Sequence, residues 1–81
     1  MKLSKGSVVR ATAGRGSGKL FAVTDIQDGY CFIADGRSRK LASHKKKNLK
    51  HICPADSMIN MNDNITDKKL RNLLRQLADN E

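Results

Sequence analysis

Hydrophobic residues in the first half of the chain occur in short runs separated by turn-forming residues. The runs Ser7–Ala11 and 19–26 contain the valines and phenylalanine that are typical of strands. Asp28-Gly29 follows and predicts a tight hairpin turn. The next run, Tyr30–Ala34, is apolar at successive positions, which predicts a third strand covered on both faces.

The pattern continues with shorter and more polar segments. Asp35-Gly36 predicts a second turn, after which residues 37–41 are expected to form a short basic strand and residues 42–47 a loop. Residues 49–53 predict a fifth strand that stops at Pro54. Five short strands with turns about every 8–12 residues are typical of a small β-barrel.

The last segment has helical periodicity. Leucine and alanine recur at i, i+3, i+4, i+7 and i+8, at positions Leu70, Leu73, Leu74, Leu77 and Ala78. This predicts a helix from Asp67 to about Asp79, with Thr66 as N-cap and Ile65 packed onto Leu70. We expect the apolar stripe to pack on its own domain; the alternative is an interface with another protein or a second copy. Arg71 and Arg75, four residues apart, would extend a basic surface on the opposite face.

These patterns predict one small domain of the mainly β class, because 81 residues allow little more. Its expected parts are a β-barrel over residues 1–53, a polar connector over 54–65 and a C-terminal helix over 66–81 that packs on or beside the barrel. Leu3 is expected to pack into the barrel.

The charges are unevenly distributed between these parts. The chain has 16 Lys and Arg against 8 Asp and Glu, a net charge of +8. Residues 1–53 hold twelve cations and three acids, whereas residues 54–81 hold four cations and five acids. Concentration of positive charge in one module indicates a polyanionic partner. A membrane surface fits less well than a nucleic acid, because the basic part has strand patterns rather than a basic amphipathic helix.

The start of the chain, Met1-Lys2-Leu3, leads into polar residues rather than an apolar run. No signal peptide and no stretch of transmembrane length is therefore expected. The expected location is the cytoplasm.

A glycine-rich loop joins the first two predicted strands. Its glycines can take positive φ and so let the backbone approach a partner closely; they are Gly14, Gly16 and Gly18. Arg15 and Lys19 bracket this loop and offer charge to an anion. Contact with a nucleic-acid backbone is the functional interpretation, and a glycine-rich hairpin without a ligand is the alternative.

The same loop has a superficial likeness to a nucleotide-binding P-loop, which we reject. A P-loop needs glycine where Ala13 stands and Ser or Thr where Leu20 stands. It also needs a helix after the lysine, whereas the residues after Lys19 favour a strand.

A second basic feature follows the third predicted strand. Its members, near His44, are Arg37, Arg39, Lys40, Lys45, Lys46, Lys47 and Lys50. On a strand, Arg37 and Arg39 would share one face and Lys40 would take the other. Neighbouring lysines repel each other, and a phosphate backbone relieves that repulsion. The alternative is a solvated loop that maintains solubility. Neither basic feature carries a base-reading signature, so recognition is expected through shape and phosphates.

Aromatic residues are scarce. Phe21 and Phe32 are expected in the core. Tyr30 is a candidate for base stacking, although we expect a half-buried hairpin tyrosine. Single-strand binding by stacking would use more aromatics, so structured RNA is the expected target.

Two cysteines and two histidines could in principle hold zinc: Cys31, His44, His51 and Cys53. Their spacing does not match a zinc ribbon or knuckle, so no metal or other cofactor is expected. Both cysteines are expected to be small buried apolar residues rather than a disulfide.

The acidic residues of the β module occur at turns, where aspartate bonds its own backbone; they are Asp25, Asp28 and Asp35. No set of nucleophile, base and acid stands out, so we expect that the protein is not an enzyme.

Spacing along the first two strands resembles the KOW motif of ribosomal and transcription-elongation proteins. The matching positions are Gly6, Val8, Val9, Gly14, Gly18 and Val23. Extended through residues 33–36 and the basic cluster, the chain is similar to the short bacterial KOW-domain RNA-binding proteins related to large-subunit ribosomal protein fourteen of the archaeal/eukaryotic type. This resemblance covers roughly residues 3–53, with a weaker likeness in the final helix.

The resemblance implies a small SH3-like barrel that binds RNA, usually ribosomal RNA, through the glycine-rich loop and neighbouring basic residues. Ribosomal proteins of this kind usually carry basic tails, which residues 54–81 do not provide. The expectation is therefore a ribosome-associated factor. The alternatives are a module that docks on a translation or transcription factor, and a protein that binds duplex DNA.

Overall fold

The fold is a five-stranded antiparallel sheet with one C-terminal helix. A computed structural model describes residues 3–14 and 17–79. The strands are β1 Ser7–Ala11, β2 Leu20–Gln27, β3 Tyr30–Ala34, β4 Lys45–Asn48 and β5 Ile52–Met58. Their order across the sheet is β4-β3-β2-β1-β5, and the helix α1 spans Asp67–Asp79. The predicted mainly β class with a C-terminal helix is confirmed.

The first three strands agree closely with the sequence pattern. β1 and β3 have the predicted bounds, and β2 is displaced by one residue. Gln27 pairs with Tyr30, so Asp28-Gly29 forms a two-residue hairpin turn as predicted. Short-range signals define these elements well, because each strand pairs with a neighbour in sequence.

The predicted fourth strand at residues 37–41 is wrong. The Asp35 carboxylate accepts hydrogen bonds from the backbone N–H groups of Arg37 and Arg39, both at 2.9 Å, and from the Ser38 hydroxyl at 3.1 Å. These bonds hold the segment as a compact loop, so Arg37 and Arg39 do not share a strand face. The strand that pairs with β3 is Lys45–Asn48, most of which was expected to be a loop.

A fifth strand is present as predicted, but its predicted bounds, residues 49–53, are wrong. Leu49–His51 forms a 3-10 turn, and β5 begins at Ile52 and continues through Pro54 to Met58. Pro54 lies opposite Val9 of β1, and β5 is at the edge of the sheet. An edge strand needs backbone hydrogen bonds on one side only, so it tolerates a proline.

Helix α1 covers part of one face of the sheet. Leu70 and Leu74 are buried in a hydrophobic cluster shared with β1, β2, β3 and Ile59. The Lys69 N–H donates to the Thr66 hydroxyl at 3.2 Å, which confirms the predicted N-cap, and Ile65 packs against the same cluster. The leucine stripe therefore packs on its own domain, although Leu73 remains 39% exposed.

A second hydrophobic cluster fills the opposite face, where alternate residues of β1, β2 and β3 meet. Leu3 packs against this cluster as expected. Cys31 lies inside it, but Cys53 is exposed, so the expectation that both cysteines are buried is wrong for Cys53. Phe21 is buried, whereas Phe32 is only half-buried because its ring stacks on His44 rather than in either cluster.

Within residues 3–14 and 17–79, no helix has the length and apolar character needed to cross a membrane.

Candidate nucleic-acid interface

Two connections leave the sheet at the same end. One joins Ala11 to Leu20 and the other joins Ala34 to Lys45. Because neighbouring strands are antiparallel, the end of β1, the start of β2, the end of β3 and the start of β4 lie together. The two segments of sequence expected to be basic and functional are thus neighbours in space.

The glycine-rich loop has the backbone geometry that its glycines predict. Gly14 and Gly18 have φ values of 87° and 86°. The Gly18 N–H donates to the Ala11 carbonyl at 2.8 Å, and the Ser17 N–H donates to the Gly14 carbonyl at 3.1 Å. These bonds close the loop tightly over the end of β1. The two predicted members Arg15 and Gly16 lie outside the described residues.

Lys47 joins β4 to this loop. Its Nζ donates to the Ala13 carbonyl at 2.9 Å, and a Cβ added at Gly14 would lie 3.2 Å from that Nζ. The contact links strand β4 at one edge of the sheet with the connection between β1 and β2. Lys47 is half-buried and therefore has a structural role beside any role in binding.

A concave space of about 300 Å³, here called the inner cavity, opens on the sheet face opposite α1. Its apolar floor is formed by Ala11, Phe21 and Ile33, which belong to the second hydrophobic cluster. Cations from three segments surround this floor: Lys19, Arg39, Lys45 and Lys47. Lys45 and Lys47 face this side because they lie opposite Ile33 and Cys31 in the ladder.

A larger space of about 1000 Å³, here called the helix groove, lies between α1 and the two connections. The cations that line it are Arg10, Lys19, Arg37, Lys40, Arg71 and Arg75. Lys19 and Ser38 line both spaces, so the inner cavity and the helix groove adjoin. Together they are called the basic surface below.

The helix is held firmly against the basic loop. Arg71 Nη1 donates to the Gly36 carbonyl at 3.3 Å, and the Leu41 N–H donates to Asp67 Oδ1 at 2.7 Å. Gly36 is buried against the first turn of α1, where a Cβ would collide with the backbone of Asp67. These contacts set the position of Arg71 and Arg75 relative to the loop cations.

Asp35 is the single acid among the described residues that line the basic surface. Its carboxylate already accepts three hydrogen bonds from its own loop. It therefore orders the backbone that carries Arg37 and Arg39, and its single negative charge offsets one of the nine positive charges that line the basic surface. The result is a concave region with a large excess of positive charge, which attracts anions more strongly than a flat surface would.

The structure brings together most of the predicted site residues. Those that line the basic surface are Gly18, Lys19, Arg37, Arg39, Lys40, Lys45 and Lys47, and Gly14 shapes the adjacent loop. Lys46 and Lys50 are outside it. The Lys46 Nζ lies 3.8 Å from the centroid of the Tyr30 ring, on the other face of β4, and Lys50 lies in the 3-10 turn that precedes β5.

Sequence reasoning missed Arg10. It lies within the predicted strand β1, and its Nη1 donates to the Gly18 carbonyl, so it supports the glycine-rich loop as well as lining the helix groove. A single charged residue in a strand carries no signal of its own. Arg71 and Arg75 were identifiable from their spacing on the polar face of the helix.

The arrangement provides donors of two kinds for phosphate oxygens. Arginine presents a planar fork that can bind two oxygens at once, and lysine supplies a compact charge on a flexible stem. Within the described residues, no three His, Cys, Asp or Glu side chains are grouped so as to hold a metal ion.

Searches of protein-family models and of curated proteins give no match to this chain. The functional interpretation is therefore argued from the geometry of the basic surface.

Proposed function

We propose that this protein binds structured RNA in the cytoplasm, chiefly through contacts between its basic surface and the phosphate backbone. The observation that carries the proposal is that positively charged side chains from several elements meet at one surface. Nine lysines and arginines, from β1, both connections, β4 and α1, line two adjoining concave spaces together with one acid that is engaged by its own loop. The cations repel one another in the free protein, and a phosphate backbone relieves that repulsion while releasing counterions.

Phosphate contact fits the residues better than base reading does. The basic surface contains lysine and arginine on loops and at strand ends, and its apolar floor consists of buried core side chains. Such contacts position a nucleic acid without selecting a sequence. Selectivity for RNA then comes from the shape of a folded strand and from contacts to the 2′-hydroxyl groups.

The proposal includes a KOW-type SH3-like barrel and association with the ribosome. Two observations support the barrel, whereas association with the ribosome rests on the resemblance of the sequence. The Gly6 N–H donates to the Val23 carbonyl at 2.8 Å, which joins two positions of the motif. β1 to β4 form a meander with β5 beside β1, and the bond from Lys47 to the Ala13 carbonyl draws β4 towards the loop between β1 and β2. Both are compatible with a sheet that curls into a small barrel.

The first test measures equilibrium binding of the full chain to a fluorescent RNA hairpin, with unlabelled DNA duplex of matched sequence as competitor. We expect the RNA to bind and the DNA to compete poorly. Equal competition by DNA would favour the duplex-DNA alternative. No binding to either nucleic acid would contradict the proposal and favour a module that docks on another protein.

The ribosomal part is tested separately by cross-linking RNA to the tagged protein in cells and sequencing what is recovered. Reads concentrated at one ribosomal RNA site are expected. Reads no higher than in a sample that was not cross-linked would contradict ribosome association, whatever the result with purified RNA.

A further inference from the structure

A bulge in β2 sets the direction of the Thr24 side chain. Val23 pairs with Ile33 and Asp25 pairs with Phe32, so Thr24 is the extra residue of a β-bulge. Bulges re-aim a side chain relative to the regular alternation of a strand. Here the Thr24 hydroxyl donates to the Phe32 carbonyl at 3.2 Å and contacts His44 Nδ1 at 2.6 Å.

The contact between the Thr24 hydroxyl and His44 Nδ1 is a short hydrogen bond in either tautomer of the ring. It fixes the position of the imidazole at Nδ1.

The imidazole is also held by stacking. Its ring stacks on Phe32 with a centroid distance of 4.7 Å and an interplanar angle of 26°. One face of the ring is covered by Phe32, while His44 as a residue is exposed. The structure thus presents an oriented aromatic ring to solvent, fixed by a hydrogen bond and by a stacking contact.

The surroundings of this ring carry positive charge. Lys46 lies opposite Phe32 in the ladder between β3 and β4, and so projects from the same face of the sheet. Its Nζ covers the Tyr30 ring at 3.8 Å, which leaves His44 as the ring available for stacking. Lys45, next to His44 in the chain, faces the inner cavity on the other side of β4.

We propose that the Phe32–His44 stack binds one unpaired nucleobase of the RNA, and that Lys46 contacts a phosphate beside that base; this rests on the proposed function. An aromatic face next to a cation complements a nucleotide, which combines a flat base with an anionic group. β4 is at the edge of the sheet, so one RNA strand can cross that edge from Lys45 to His44. A paired base has both faces stacked within its helix, so the ligand must be unpaired.

The experiment uses two RNA probes that share a stem. One is a hairpin with 2-aminopurine at an unpaired loop position, and the other is the fully paired duplex. Wild type is compared with His44→Ala, which removes the ring, and with His44→Phe, which retains an aromatic face. His44 is exposed, and circular dichroism verifies that each variant is folded.

We expect wild type to quench 2-aminopurine fluorescence on binding, because stacking quenches this base. His44→Ala is expected to lose the quenching and about tenfold in affinity for the hairpin, with binding to the duplex unchanged. His44→Phe is expected to retain both quenching and affinity.

Two outcomes would overturn the inference. If His44→Ala binds and quenches the hairpin as wild type does, the stacking site is wrong while the proposed function stands. If wild type binds neither RNA, the proposed function fails and the stacking site with it.

Discussion

Asp35 and Gly36 organise the loop that carries Arg37, Arg39 and Lys40. The Asp35 carboxylate accepts hydrogen bonds from the backbone N–H groups of Arg37 and Arg39, and Gly36 allows that loop to lie against α1. Neither residue provides positive charge, yet both determine where the loop cations lie. The geometry of the basic surface therefore depends on the residues that shape this loop as much as on the lysines and arginines that it carries.

The first expected outcome concerns Gly36→Ala compared with Gly29→Ala. The two glycines have φ values of 78° and 80°, so alanine is equally strained at both. A Cβ at Gly36 would also collide with backbone atoms of α1, whereas one at Gly29 meets nothing within 4 Å. Urea unfolding should show a loss of about 1 kcal/mol for Gly29→Ala and of roughly 3 kcal/mol or more for Gly36→Ala.

Equal losses for the two variants would contradict the close packing of this loop on α1. Gly29 is a matched control because it lies in the turn between β2 and β3, away from the helix.

The two cysteines are expected to differ in reactivity and in their effect on stability. Burial raises the pKa of the Cys31 thiol, and Cys53 is exposed. In a native thiol titration, Cys53 should react rapidly and Cys31 only when the chain unfolds. Rapid reaction of both thiols would contradict the position of Cys31 in the core.

The direction of the pKa shift also predicts a pH dependence. The folded state holds the Cys31 proton more tightly than the unfolded chain, so its contribution to the free energy of unfolding is complete below the ordinary cysteine pKa of about 8.5. The contribution is lost as pH rises through the folded pKa. The free energy of unfolding of wild type should therefore fall more steeply above about pH 8.5 than that of Cys31→Ala, and parallel curves would contradict this.

At the scale of elements, α1 joins the hydrophobic core to the basic surface. Leu70 and Leu74 are buried against the sheet, while Arg71 and Arg75 line the helix groove one residue further along. A helix turns by about 100° per residue, so neighbouring residues project in different directions. Packing of the leucines therefore places the arginines beside the loops.

Leu70→Ala and Leu73→Ala test this orientation of α1. Leu70 has no exposed surface, and its truncation should lower the free energy of unfolding by about 2–5 kcal/mol, since a cavity remains. Leu73 is 39% exposed, so Leu73→Ala should lower the free energy of unfolding by less than about 1 kcal/mol. The two changes carry the same loss of helix propensity, so chemical denaturation compares burial alone. Similar losses would contradict the assigned face.

How much of the fold the sequence predicts depends on the element. β1, β3 and α1 were predicted at their observed bounds, because alternation, the Asp28-Gly29 turn and leucine spacing are local signals. β4 and β5 were not. Residues 37–39 form a loop because of the Asp35 hydrogen bonds. The course of β5 depends on its edge position, which becomes apparent only when the strands are paired.

The candidate site shows the same division. Charge alone identified Lys19, Arg37 and Lys45 as residues of the basic surface. It could not distinguish them from Lys46, whose side chain lies on the other face of β4. That separation follows from the register between β3 and β4, which a single sequence does not reveal.

Lysines in β4 have an effect that is independent of the proposed RNA contact. Charged side chains on an edge strand hinder pairing with strands of other molecules. Lys45, Lys46 and Lys47 occupy such a strand. Protection of the edge and phosphate contact are compatible, because the first concerns the backbone of β4 and the second the ends of its side chains.

For the whole molecule, the central feature is that charge and hydrophobic burial are segregated. Two hydrophobic clusters occupy the two faces of the sheet, and the basic surface lies at the end where both connections emerge. With a net charge of +8, the chain has a field that attracts a polyanion from a distance and weakens in salt.

The most direct test is the salt dependence of RNA-hairpin binding for wild type, Lys45→Gln and Lys68→Gln. Lys45 lines the inner cavity, and Lys68 is an exposed lysine of α1 outside both concave spaces, so the two variants lose equal charge. With six or more phosphate contacts, wild-type affinity should fall on the order of a thousandfold between about 50 and 200 mM salt.

Lys45→Gln should lower affinity for all RNA sequences alike and reduce the slope of log affinity against log salt by about 1, whereas Lys68→Gln should leave the slope unchanged. A flat salt dependence of wild type, or equal slopes for the two variants, would contradict phosphate binding at the basic surface.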